Sequence, residues 1–77
     1  MVKVGLISIG DELLNGYTLD TNSSFIAANI CLYDELDISS KVTVKDSLKS
    51  IKLSLKYHID NNYKYLFITG GLGSTHD

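Results

Sequence analysis

Hydrophobic positions form three short runs, separated by two longer stretches in which they recur every three or four residues. The first run, Val2–Ile9 (VKVGLISI), is rich in β-branched residues and nearly all apolar from Val4 onwards. Such a run predicts a strand buried on both faces of a parallel sheet. The second run, Ile38–Val44 (ISSKVTV), is more polar and predicts an edge strand. The third run, Lys64–Thr69 (KYLFIT), predicts the last strand.

Between the first two runs, the pattern predicts a loop followed by a helix. The loop, Gly10–Leu19, is polar and interrupted by glycine. Any of three residues after it can cap the helix: Asp20, Thr21 or Asn22. The apolar positions of the helix recur at intervals of four and three: Ile26, Ile30 and Tyr33. We expect this helix to end near Leu36, followed by Asp37, a residue type that tolerates the left-handed conformation.

The stretch after the second run predicts another helix, capped by Asp46 or Ser47. Its predicted buried positions lie at offsets of three, seven and eleven: Leu48, Ile51, Leu55 and Ile59. Three lysines form a separate, solvated face: Lys49, Lys52 and Lys56. His58 lies near the end of the helix, where a favourable interaction with the helix dipole accounts for it. The polar segment 60–63 (DNNY) ends the helix.

The predicted order of elements is therefore β-α-β-α-β, which favours parallel strands joined by right-handed crossovers. If the crossovers run in opposite directions, the strand order is 2-1-3 and helices cover both faces, giving a three-layer α/β/α fold. Open sheets of this kind bind ligands beyond the carboxyl ends of the strands, at the point where the order reverses. Three loops should meet there: Gly10–Leu19, Lys45–Asp46 and Gly70–Asp77.

The last of these loops, within ITGGLGSTHD, is rich in glycine but matches neither common phosphate fingerprint. It lacks the GxxxxGK[ST] pattern, and His76 stands where the dinucleotide fingerprint has its third glycine. Its backbone N–H groups, with the hydroxyls of Ser74 and Thr75, could surround an anion. The alternative is a turn that only reverses the chain.

Carboxylates gather in the same three loops. They are Asp11, Glu12, Asp20, Asp46 and Asp77. Carboxylates repel a phosphate unless a cation intervenes, and Mg²⁺ held by one or two carboxylates together with phosphates resolves this conflict. Asp20 and Asp46 also stand where helix caps belong, so each could act only as a cap.

Composition narrows the choice of ligand. The chain has 77 residues, a net charge of −2, seven lysines and no arginine. Without arginine, a phosphate would be held by backbone N–H groups, lysine or a metal. The lysines are spread out, so the charge pattern predicts binding to neither nucleic acid nor a membrane surface. One cysteine, Cys31, and no signal-peptide or transmembrane pattern favour a cytoplasmic protein.

Three motifs resemble one family. Residues 8–23 (SIGDELLNGYTLDTNS), 43–47 (TVKDS) and 69–77 (TGGLGSTHD) resemble the molybdopterin-binding-type domain. They are most similar to its branch at the N-terminus of competence/damage-inducible protein A and of eukaryotic FAD synthases. The three motifs occur in the family's order and cover about 30 residues. The resemblance implies an α/β/α domain of about twice this length, of which this chain is the N-terminal half.

By motif position, the resemblance also implies functional residues. The family's first ligand loop corresponds to Gly10, Asp11, Glu12, Gly16, Asp20 and Asn22. Its ligand-receiving turn corresponds to Gly70, Gly71 and Gly73. Ser74 stands where proline is usual, and Ser74 and Thr75 are ligand-binding candidates through their hydroxyls. Asp46 and Asp77 correspond to acidic residues implicated in catalysis and in holding a divalent cation such as Mg²⁺. Asp77 would be the first of a pair of acids in this branch.

The function implied for the intact protein is metal-dependent pyrophosphate hydrolysis of ADP-ribose-like or FAD-like nucleotides. The alternative is a non-catalytic module that binds molybdopterin or a nucleotide, and the 77-residue chain is itself expected to be inactive. We expect the intact protein to form a homo-oligomer. We also expect the isolated chain to be poorly stable or to self-associate, because its third strand would have an open edge.

Overall fold

The computed structural model describes residues 1–70, which form a three-stranded parallel sheet with helices. The strands are β1 (Val2–Ile9), β2 (Leu36–Val44) and β3 (Tyr65–Gly70), and their order is β2-β1-β3. The helices are α1 (Asp11–Leu14), α2 (Thr21–Ile30) and α3 (Leu48–Asp60). The predicted α/β class and the 2-1-3 order are confirmed.

The two long helices lie on opposite faces of the sheet. On one face, Val4 and Leu6 of β1 form a buried cluster with Ile30 of α2. On the other face, Gly5 of β1 approaches the ring of His58 on α3. Successive residues of a strand point to opposite faces, so β1 contributes side chains to both layers. This two-sided burial explains why β1 is almost continuously apolar.

A β-bulge at Ser39 exchanges the two faces of β2. Val4 pairs with Ile38, whereas the next residue, Gly5, pairs with Ser40, so β2 contains one residue more than β1 here. Before the bulge, Ile38 packs against the α2 cluster. After it, Ser40 contacts His58 of α3. An inserted residue reverses the alternation of side chains, so the half of β2 before the bulge packs against α2 and the half after it packs against α3.

The predicted end of the first helix near Leu36 was wrong, because α2 ends at Ile30. The backbone N–H of Cys31 still donates to Ala27, but the chain then turns. The N–H of Val2 donates to the carbonyl of Glu35 at 2.8 Å, so pairing with β1 begins before the predicted start of the second strand. Turns thus follow the helix, because the N–H groups of Leu32 and Tyr33 donate to the carbonyls of Asn29 and Ile30, and the side chain of Tyr33 is exposed.

The predicted buried face of α3 was wrong in part. Ile51 and Leu55 are half-buried, but Leu48 is 70% exposed and Ile59 is 67% exposed. The most buried side chain of the helix is His58, at 1% exposure. A Cβ atom on Gly5 would lie 2.6 Å from Cδ2 of His58, so glycine leaves the space that the imidazole fills. With His58 buried, the face of α3 that contacts the sheet does not include Leu48 or Ile59.

Candidate functional site

The loops after β1 and β2 are joined at the carboxyl edge of the sheet. The N–H of Gly10 donates to the carbonyl of Val44 at 3.1 Å. The N–H of Asp46 donates to Oδ1 of Asp11 at 3.2 Å. These bonds place the Asp11 carboxylate beside the backbone of Asp46, at the edge where parallel sheets bind ligands.

The predicted loop Gly10–Leu19 contains a short helix, α1, directly after β1. The N–H groups of Tyr17 and Thr18 both donate to the carbonyl of Glu12, which folds the rest of the loop back onto this helix. A Cβ atom on Gly10 would lie 2.9 Å from Oε2 of Glu12, so the Glu12 carboxylate covers Gly10. Gly16 has φ +81°, the left-handed conformation that favours glycine.

Asp20 caps α2 and is engaged through both carboxylate oxygens. Oδ1 accepts the N–H of Ser23 at 3.1 Å, and Oδ2 accepts the hydroxyl of Ser8 on β1. Burial raises the pKa of Asp20, but the hydrogen bonds from Ser8 and Ser23 and the charge of Lys41 together outweigh burial. The pKa of Asp20 therefore lies below its ordinary value. Of the three predicted caps, the structure selects Asp20.

Asp46 does not cap α3. That position belongs to Ser47, whose Oγ accepts the N–H of Ser50 at 3.2 Å. The side chain of Asp46 is exposed, and within residues 1–70 its carboxylate has no hydrogen-bond or ion-pair partner. Of the two predicted uses of this carboxylate, capping is thus excluded.

Gly70 brings the end of β3 against β1. It pairs with Ile9 and has φ +80°. A Cβ atom on Gly70 would lie 2.2 Å from the carbonyl oxygen of Ile9, so a side chain is excluded by both conformation and space. The remaining predicted residues of this turn lie outside the described part of the chain: Gly71, Gly73, Ser74, Thr75 and Asp77. Asn22 is exposed in the first turn of α2.

Two clefts open at this edge. The smaller has a volume of about 350 Å³ and is lined by Asp11, Leu14, Asn15 and Lys45. The larger, about 520 Å³, runs between β2 and α3. Lys45, which directly follows β2, lines both, and the sequence-based prediction gave it no role. The signal was present in TVKDS, because a lysine at a strand's carboxyl end faces the ligand edge of a parallel sheet.

Within residues 1–70, no three His, Cys, Asp or Glu side chains come together as metal ligands. Two carboxylate residues, Asp11 and Asp46, are adjacent through their shared hydrogen bond. Asp77, the other predicted metal ligand, is outside this range. In the same part of the chain, no helix has the length and apolar character needed to cross a membrane.

Comparisons with known proteins agree with the predicted resemblance. Residues 5–77 match the family described as probable molybdopterin binding domain. A CinA-like protein of Fusobacterium nucleatum is 42% identical over 76 residues, which cover 99% of this chain and 18% of that protein. A protein of Pyrococcus abyssi is 41% identical over 76 residues, which cover 99% of this chain and 30% of that protein.

A solved structure shares the fold. It is the crystal structure of the protein CinA with unknown function from Thermoplasma acidophilum, with a TM-score of 0.86 and 26% identity. The match covers 95% of this chain and 43% of that chain. The chain thus spans less than half of each of these relatives.

Proposed function

Because this chain belongs to the family of probable molybdopterin-binding domains, we propose that its carboxyl sheet edge binds the phosphate group of a nucleotide or a pterin. One observation carries the proposal. The hydrogen bond from Asp46 to Asp11 joins the loops after β1 and β2. Gly70, the last residue of β3, pairs with Ile9 at the same edge, and the third loop follows it in the sequence. Three loops at one edge of a parallel sheet, where the strand order reverses, form the usual ligand site of such folds.

Lys45 is the cation that this edge offers to a phosphate. It lines the same cleft as Asp11, and the chain has no arginine that could take its place. A lysine ammonium binds phosphate as a point charge, so the direction of the phosphate must be fixed by other groups. For this role we propose the backbone N–H groups of the glycine-rich segment after β3, which the sequence predicts could surround an anion.

The finer activity that we propose for the whole protein is metal-dependent hydrolysis of the pyrophosphate bond in ADP-ribose-like or FAD-like nucleotides. Asp46, whose exposed side chain is not used as a cap, would hold a divalent cation together with Asp77. The adjacent Asp11 carboxylate fits such a site, because Mg²⁺ in nucleotide sites uses one or two carboxylates and the substrate phosphates. When bound, the cation neutralises phosphate charge and makes a water molecule more acidic.

Asp11 has a positioning role in this proposal. Its carboxylate holds the N–H of Asp46 at 3.2 Å. That bond fixes the point from which the Asp46 side chain projects. Orientation of this kind is the main contribution that a protein makes to phosphoryl transfer, since the reaction needs little covalent help.

The test is hydrolysis of ADP-ribose by the full-length protein, with and without Mg²⁺. We expect Asp46→Asn to reduce the rate by about a hundredfold or more. Asp34→Asn is the matched control, because Asp34 is also exposed but lies at the opposite end of the sheet, before β2. Equal rates for wild type and Asp46→Asn, or no metal-dependent hydrolysis by either, would contradict the hydrolase proposal.

The second candidate is a binding module that presents a molybdopterin or nucleotide to another domain. The observation that favours it is the match of residues 5–77 to a family described as probable molybdopterin binding domain. Calorimetry that finds tight binding of molybdopterin or ADP-ribose without turnover would support this candidate over the hydrolase. A homo-oligomeric assembly and a cytoplasmic location of the intact protein stay predictions.

A further inference from the structure

An apolar groove runs between β2 and α3, and neither proposed function above assigns it a role. Its volume is about 520 Å³, within the range of about 300–1,000 Å³ typical of small-molecule sites. The lining is mainly apolar: Leu14, Val42, Val44, Leu53 and Tyr57. Leu53 is 60% exposed, so the groove has an uncovered hydrophobic wall. We name it the β2–α3 groove.

The β2–α3 groove is continuous with the candidate phosphate site. Leu14 and Lys45 line both the groove and the smaller cleft that contains Asp11. A ligand with its phosphate at Lys45 could therefore extend into the groove without crossing the sheet.

The rim of the groove is positively charged. Lys49 and Lys52 border an adjoining depression that shares Leu53 with the groove. Lys56 and Asp60 form the one ion pair within residues 1–70, so Lys45, Lys49 and Lys52 have no carboxylate partner there. An apolar floor with an unpaired cationic rim is complementary to an anion that carries a flat, weakly polar ring.

The side chains that line the groove are positioned by the bulge in β2 and by the buried ring of His58. The bulge at Ser39 turns Val42 and Val44 towards α3. The ring of Tyr57 lies edge-on to His58, with 5.1 Å between ring centroids and an interplanar angle of 90°. His58 is itself held by Ser40, with 2.9 Å between Nε2 and Oγ. The contact with His58 restrains the Tyr57 side chain, so less side-chain conformational entropy is lost when a ligand packs against it.

We propose that the β2–α3 groove receives the heterocyclic ring of the nucleotide or pterin whose phosphate binds at Lys45. The inference rests on the proposed phosphate site and deepens it by placing the other end of the same ligand. Contact between the ring and the aliphatic and aromatic side chains supplies affinity through apolar burial. Because the groove adjoins Lys45, a phosphate compound that carries a ring should bind more tightly than one without a ring.

The first test is the affinity of the full-length protein for ADP-ribose, measured by calorimetry. We expect Leu53→Glu to weaken binding about tenfold or more, because a carboxylate replaces apolar surface and opposes the anion. Ile59→Glu is the matched control, since Ile59 is on the same helix, is comparably exposed and does not line the groove. Circular dichroism melts of both variants verify that they are folded.

The second test locates the ring directly with 8-azido-ADP-ribose, which becomes reactive at the base on illumination. We expect covalent label in peptides containing residues 42–45 and 53–57. Label confined to other peptides, or equal ADP-ribose affinity of Leu53→Glu and wild type, would overturn the groove inference and leave the phosphate site standing. Failure of the wild-type protein to bind either ADP-ribose or molybdopterin would overturn both.

Discussion

The hydroxyl of Ser8 donates a hydrogen bond to the carboxylate of Asp20, which ties the middle sheet strand to the start of α2. Ser8 is 1% exposed, so its hydroxyl depends on this acceptor. The other carboxylate oxygen accepts the N–H of Ser23 and caps the helix. One side chain thus sets both where the first crossover helix begins and where it sits on the sheet.

Replacement of Asp20 by alanine should therefore destabilise the protein by about 2 kcal/mol or more. The change removes a helix cap, worth about 1 kcal/mol, and leaves the buried Ser8 hydroxyl without its acceptor, worth about 1–3 kcal/mol. Urea unfolding measures the loss. Asp34→Ala, at an exposed turn, is the control and should change stability by less than about 0.5 kcal/mol. If the two variants lost similar amounts of unfolding free energy, the Ser8–Asp20 hydrogen bond would not stabilise the fold.

The lowered pKa of Asp20 predicts a defined loss of stability in acid. Its folded pKa lies below the unfolded value of 3.8. The stabilising contribution is therefore complete above that unfolded value and is lost as the pH falls through it towards the folded pKa. Urea midpoints measured from about pH 6 to about pH 3 should fall more steeply for wild type than for Asp20→Asn, which keeps a capping side chain but cannot ionise. Parallel pH profiles would contradict this prediction.

Gly70→Ala should disrupt the junction of β1 and β3. Alanine would need a left-handed backbone, at a cost of about 1–2 kcal/mol, and its Cβ atom would overlap the carbonyl oxygen of Ile9. Gly16→Ala is the matched control, because Gly16 has nearly the same φ but no atom within 4 Å of the added Cβ. In urea unfolding, Gly70→Ala should therefore lose clearly more stability than Gly16→Ala. Equal losses would mean that the contact with Ile9 is unimportant.

Gly5 and His58 should be energetically coupled. A Cβ atom on Gly5 would lie 2.6 Å from Cδ2 of His58 and 2.9 Å from Cδ2 of Leu66. We expect Gly5→Ala to cost about 1–3 kcal/mol by overpacking, and to cost less in a His58→Ala background, where the imidazole is gone. A double-mutant cycle in urea measures this coupling. Additive effects would show that the imidazole readily moves aside.

The 77-residue chain produced alone is expected to be poorly stable or to self-associate. Within residues 1–70, β3 pairs only with β1, and three of its side chains are exposed apolar groups: Tyr65, Phe67 and Ile68. An unpaired strand edge beside exposed apolar surface favours association. Analytical ultracentrifugation and thermal melts test this. A sharp, cooperative melt of a monomer would contradict it.

The fold was predictable because its signals are local and strong. The continuous apolar run of β1 requires burial on both faces, and that requirement leads to a central strand with helices on each side. Where prediction failed, a tertiary contact decided. The bulge at Ser39 lies opposite Val4 and Gly5, and the ring of His58 occupies the space that Gly5 leaves, so both features involve residues far away in the sequence. Likewise, Leu36 pairs with Val2 as the first residue of β2, where the sequence pattern had predicted the end of the first helix.

The sequence predicted the location of the candidate site better than it predicted the role of each residue. Topology placed the loops containing Asp11 and Asp46 at one edge, and the structure joins them. The sequence could not show that Ser47 would replace Asp46 as the cap, because both residue types cap helices well. It also could not show the β2–α3 groove, because groove shape depends on side chains from separate elements packing together.

The central claim is that a phosphate-bearing ligand binds at the carboxyl edge of the sheet. Hydrogen–deuterium exchange of the full-length protein, with and without ADP-ribose, tests it most directly because it reports where the ligand lies. We predict slower exchange in peptides containing residues 10–15 and 43–46, and unchanged exchange in the peptide containing residues 60–64 at the opposite end. Protection confined to residues 60–64, or no protection anywhere in residues 1–70, would contradict the account.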